Sequence, residues 1–228
     1  MLIPDISFNP SAGIRNDNLG DFADFSHHTG GYVGNKPLAT TRCLQLNIKE
    51  VFISKTKESS PSPDTLLVTV VIDNRAVEPI RLRIASLGKA HPNQYMSLPA
   101  SGLQAYRQSP NCRPTFLDYR ILIIEARQGL PDLPTLYNRI LHAPKCISVR
   151  DILTNVSLVA LPSSSLIGVA SDIVLNLAAR TINPEESAQL LYVRGNFDKK
   201  VDDMGIRYGL ISQGNDYASV KYQVEKTF

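Results

Sequence analysis

Hydrophobic residues recur along this chain with two different spacings. In RCLQLNIKEVFIS (42–54), Leu44, Leu46 and Ile48 alternate with polar residues, and Val51 and Ile53 continue on the other parity. Alternation marks a half-buried strand, and the change of parity predicts a bulge near Glu50. LLVTVVID (66–73) and YRILIIEA (119–126) are apolar on both parities, which predicts central strands covered on both faces. PIRLRIA (79–85) places Ile80, Leu82 and Ile84 on one face and Arg81 and Arg83 on the other. The short link NRAVE predicts a hairpin between it and the preceding strand. LLYVR (190–194), GIRYGLIS (205–212) and YASVKYQVE (217–225) add further strands, the last two joined by the turn QGND.

Between these runs the period lengthens. SVRDILTNVSLVALP (148–162) carries Val149, Ile152, Leu153, Val156 and Val159 at helical spacing. Ser148 and Asp151 resemble a capping box at its start, and Pro162 ends it. SSSLIGVASDIVLNLAAR (163–180) predicts a second helix, apolar over more than half its circumference, with a serine cap. NPEESAQ (183–189) predicts a short helical turn opened by Asn183 and Pro184. Residues 86–117, broken by Pro92, Pro99, Pro110 and Pro114, are expected to be mostly loop.

Short links between strands favour antiparallel pairing. The expected fold is therefore mainly β within the α+β class: an antiparallel β-sandwich-like sheet with a two- to three-helix insertion, at about 148–190, before the C-terminal strands. Residues 1–40, rich in Gly, Pro, Asn and Asp without any period, predict an extended arm, leaving 41–228 as a single domain.

Composition changes this picture little. At 228 residues, with 43% hydrophobic and 20% charged residues, the chain can bury a core without staples. Three scattered cysteines, Cys43, Cys112 and Cys146, form no ligand pair and suggest reduced thiols, hence a cytoplasmic setting. The N-terminus has no signal-peptide pattern, and no spanning helix is expected. Charge distribution is more informative than the net value of +3. Residues 75–127 carry 8 Lys/Arg against 3 Asp/Glu, and Arg75, Arg81, Arg83, Arg107 and Arg113 are candidates for holding an anionic partner.

Motifs for catalysis are sparse. GNFDKKVDDMG (195–205) brings Asp198, Asp202 and Asp203 into one connection, a weak calcium candidate opposed by Lys199 and Lys200. GGYVGNKP (30–37) lacks the spacing of a phosphate loop. His142 and Cys146 lie four apart, but Pro144 interrupts the helix that would align them. In general outline the expected fold looks like C2-type or matrix-protein-type sandwiches, without a motif of either. No cofactor is expected beyond that weak calcium site.

The favoured expectation is a non-enzymatic structural or interaction protein that self-associates or binds a protein partner, with an anionic surface (lipid head groups or nucleic acid) as a further contact. The helix at 164–180 would supply the interface through Leu166, Val169, Ile173 and Leu177. Two alternatives stand beside it. One is a hydrolase or other enzyme whose site assembles from distant loops, with Asp118, Glu125, His91 and His142 as its parts. The other is a calcium-dependent C2-like membrane-binding module.

Overall fold

Two antiparallel sheets pack face to face, and three helices cover the outer face of one of them. The computed structural model describes residues 43–57, 64–73, 76, 78–108, 116–159, 164–185, 188–198 and 210–227. The arm at 1–40 lies outside them. In chain order the elements are β1 (Cys43–Ile53), β2 (Asp64–Asp73), β3 (Ile80–Lys89), β4 (Gln94–Tyr95), β5 (Leu103–Arg107), β6 (Phe116–Glu125), α1 (Leu133–Leu141), α2 (Pro144–Val159), α3 (Ser164–Ile182), β7 (Gln189–Asp198), β8 (Ile211–Gly214) and β9 (Ala218–Thr227). One sheet runs β4-β1-β9-β8, with β5 also pairing β1; the other runs β3-β2-β6-β7.

The two-sided apolar runs become the two middle strands of the second sheet. On β2, Leu67 and Val71 face the first sheet, and Leu66, Val68, Val70 and Ile72 face the helices. β6 divides its residues in the same way, Tyr119, Ile121 and Ile123 against Leu122 and Ile124. A strand with apolar residues on both parities has a partner layer on each side, which removes both faces from water. The parity slip in β1 is a bulge between Ile48 and Glu50 in its pairing with β9, and it keeps Val51 and Ile53 turned inward with Leu46 and Ile48.

The structure departs from the sequence expectation in three places. α1 lies where no helix was expected. Its signal is short: Asp132 accepts a hydrogen bond from the Thr135 N–H at 3.2 Å, with proline in the first turn. α2 begins at Pro144, not Ser148. The Ser148 hydroxyl donates back to the Pro144 carbonyl at 2.9 Å as an interior residue, so it caps nothing. Within the expected loop at 86–117, β4 and β5 add short strands to the edge of β1. The short helical turn expected at 183–189 is seen in part: Ala188 is 3-10 helical with its N–H on the Glu185 carbonyl at 3.1 Å, Asn183 Oδ1 accepts the Glu185 N–H at 3.1 Å, and residues 186–187 lie outside the described residues.

Candidate functional site

The helix-facing side of β6 and β7 is not wholly apolar. Asp118 and Arg120 point to that side from β6, Tyr192 and Arg194 from β7, and Asp172 meets them from α3. Arg120 Nη1 lies 2.6 Å from Asp118 Oδ1, and its Nε lies 2.8 Å from Asp172 Oδ1. The Tyr192 hydroxyl donates to Asp172 Oδ1 at 2.7 Å and accepts from Arg194 Nε at 2.9 Å. Arg194 Nη2 reaches Asp172 Oδ2 at 3.2 Å. The Arg120 and Asp118 side chains are only 6% and 3% exposed, whereas that of Arg194 is 39% exposed. Burial pushes the Asp118 carboxyl above its ordinary range, against the pull of Arg120. Burial also pushes the Tyr192 hydroxyl up, so it stays protonated and donates. Burial disfavours the charged Arg120, but the neighbouring Asp118 and Asp172 favour it.

The network fixes where α3 lies. Eleven residues beyond Asp172, the Asn183 side chain donates to the Glu125 carbonyl at 3.2 Å. Eleven helical residues rise about 16 Å, and the five strand residues from Arg120 to Glu125 span about 17 Å. The two lengths match, so α3 runs alongside β6 in the same direction and is tied at both points.

α3 presents two apolar stripes. Ile167, Ala170, Val174 and Ala178 are buried against the sheet. The four residues expected at an interface, Leu166, Val169, Ile173 and Leu177, lie outside that buried stripe. Val169 is 38% exposed, and the other three are half-buried, with Ile173 and Leu177 packed partly on the helix-side core. The segment Ser165–Ile182 is long and apolar enough to cross a membrane, with 44% of it buried in the fold.

The arginines of β3 are engaged at the rim. Arg81 pairs with Glu78 at 2.7 Å, and Arg83 donates to the Gln104 carbonyl of β5, closing one side of the sandwich. Arg107 is exposed at the end of β5; Arg75 and Arg113 lie outside the described residues. Asp202 and Asp203 also lie outside them, and Asp198 ends β7. Among the described residues no group of three or more His, Cys, Asp or Glu is placed to hold a metal.

The residues of the enzyme alternative are not brought together. Asp118 and Glu125 occupy opposite faces of β6, about 23 Å apart along it. Glu125 Oε1 accepts the Lys57 N–H at 3.0 Å, while the Lys57 ammonium lies over the Tyr217 ring at 4.6 Å. Burial lowers the Lys57 pKa, partly offset by Glu125. His91 is exposed just beyond β3, and His142 caps α1. Cys146 is buried in the first turn of α2, its thiol pushed up by burial, so it is a packed group rather than a thiolate.

The ion network was the site that sequence reading missed. Its signal was the interruption of apolar runs by Asp118, Arg120, Asp172 and Arg194, which singly resemble surface positions. The chain matches no protein-family model, and no curated protein is significantly similar to it.

Proposed function

We propose that this protein is a non-enzymatic interaction module that self-associates through the outward stripe of α3. The observation that carries this reading is the exposed Val169 within a second, otherwise half-buried apolar stripe. Leu166, Val169, Ile173 and Leu177 follow one another at spacings of three, four and four, a seam that interdigitates with a copy of itself. The stripe holds no charge, so two copies brought face to face do not repel there. Four of the six large apolar side chains exposed among the described residues, Tyr137, Ile147, Ile152 and Val169, are on the helices. The opposite side of α3 is fixed by the ion network, so the stripe is presented on a rigid support. An interfacial lipid helix carries several cations along its polar face, and α3 has only Arg180 in its last turn.

One helix stripe is smaller than the roughly 1,600 Å² of a standard interface, so micromolar association is expected. Sedimentation velocity from about 1 to 100 µM tests it. A concentration-dependent dimer that Val169→Glu converts to a folded monomer, with an unchanged circular dichroism spectrum, supports the reading. A monomer throughout, or a dimer indifferent to Val169→Glu, rejects it.

A further inference from the structure

Strand β3 ends its sheet and pairs on one side only, with β2. Two backbone bonds fix which way its polar groups point. The Asp73 N–H meets the Pro79 carbonyl at 2.9 Å, and the Ala126 N–H meets the Asp64 carbonyl at 2.7 Å. Bonded pairs alternate along an antiparallel ladder, so Leu66, Val68, Val70 and Ile72 of β2 turn to β6, and Leu67, Thr69, Val71 and Asp73 turn to β3. In the register that sets Ile72 opposite Ile80, Arg81 and Arg83 therefore direct their N–H and C=O groups to Val71 and Thr69. Ile80, Leu82 and Ile84 direct theirs to the open edge, where no hydrogen bond from the described residues reaches them. Side chains sort with the same period. Ile80 and Leu82 are buried on the helix side with Ile84 packed partly there, while Arg81 and Arg83 are exposed on the other face. The strand itself holds no acidic residue. Glu78 pairs with Arg81, but the side chains are 71% and 46% exposed, so a competing carboxylate displaces it readily. Arg83 donates to the Gln104 carbonyl and meets no carboxylate among the described residues.

We propose that the open edge of β3 adds an extended strand from a protein partner in which apolar and acidic residues alternate. The added strand completes the ladder at Ile80, Leu82 and Ile84. Its acidic residues lie opposite Arg81 and Arg83, and its apolar residues widen the surface begun by Ile80, Leu82 and Ile84. Charge selects this occupant over a second copy of the chain. Pairing β3 antiparallel with itself sets Arg81 against Arg83, or an arginine against its own copy, and like charges directly opposite repel. In the order β3-β2-β6-β7, β3 is separated by β2 from β6, along which α3 runs, so this docking is independent of the self-association proposed above.

The test is amide hydrogen exchange of the full chain, read by NMR, with and without the capped peptide GVEVEVG at about 1 mM. In the free protein the amides of Ile80, Leu82 and Ile84 should exchange faster than those of Arg81 and Arg83. The peptide should slow the three outward amides and leave the two arginine amides as they were. N-methylvaline at the central valine removes one ladder bond at constant charge, and should weaken binding about tenfold. Arg81→Gln with Arg83→Gln should also weaken it about tenfold, in a chain that circular dichroism shows to be folded. The peptide GVKVKVG should not bind, and the Val169→Glu monomer should take up GVEVEVG like the parent chain. Outward amides already slow in the free protein, or not slowed by GVEVEVG, overturn the proposal. Equal binding of the N-methyl peptide overturns it as well, because charge alone would then hold the peptide.

Discussion

The β3-β2-β6-β7 sheet is held on its two faces by opposite arrangements. Towards the other sheet the centre is mainly apolar, and there the Tyr119 and Tyr222 hydroxyls meet at 3.0 Å with their rings edge to face. Polar ties there sit at the margins: Asp73 with the Tyr106 hydroxyl, Arg83 with Gln104, and Glu125 with Lys57. Towards the helices, Asp118, Arg120, Asp172, Tyr192 and Arg194 are grouped within the interface itself. The difference follows from how each partner layer is constrained. A sheet is positioned by its own ladders and by chain links at its edges, so rim contacts suffice. A helix on a sheet makes no ladder and slides easily along an apolar surface. Ion pairs with fixed donors set its position, at a desolvation cost that only complete pairing offsets.

The comparison breaks most visibly at Arg120. Arg120→Met leaves Asp118 buried without its cation and should lower unfolding free energy by about 3–5 kcal/mol in a urea titration. A loss under about 1 kcal/mol would show that the network is ornamental to stability. On the other face, Gly195→Ala places a Cβ about 2.0 Å from the Tyr119 ring, so the ring must leave its contact with Tyr222. A cost of about 2–3 kcal/mol is expected, with a changed near-ultraviolet signal from the tyrosines.

Asp118→Asn sharpens the contrast through pH. The folded-state pKa of Asp118 lies above its unfolded value, so the native state binds the proton more readily. Stability from this group therefore falls as pH rises from about 4 through the folded pKa. The Asn variant stays neutral at every pH, so it should lose that downward slope and be no less stable than the parent at neutral pH. The smallest effect belongs to the sheet–sheet side. Thr69 Oγ1 is buried without a hydrogen-bond partner among the described residues. Thr69→Val should stabilise by about 1 kcal/mol, measured by thermal unfolding.

Much of the architecture was legible in the chain. Alternation marked β1 and β3, two-sided apolar runs marked β2 and β6 as central, and the parity change at Glu50 marked the bulge. α1 was not legible, because nine residues with one cap give a weak periodic signal. Pro144 was read as a break, and it is one between α1 and Cys146, but it also opens α2. The outward placement of Val169 was foreshadowed by the helix being apolar over more than half its circumference, since a single sheet contact cannot cover so wide an arc.

Sequence by itself determined which residues leave water, because period and parity are local properties of a chain with fixed backbone geometry. It also determined that β2 and β6 need a layer on each face. Only the tertiary structure decided which charges are spent. Arg120 and Arg194 are held in the ion network by Asp172, while Arg81 meets Glu78 at the exposed rim of β3. A charge's role depends on partners tens of residues away and on the water left around it, and neither is written in the residues beside it.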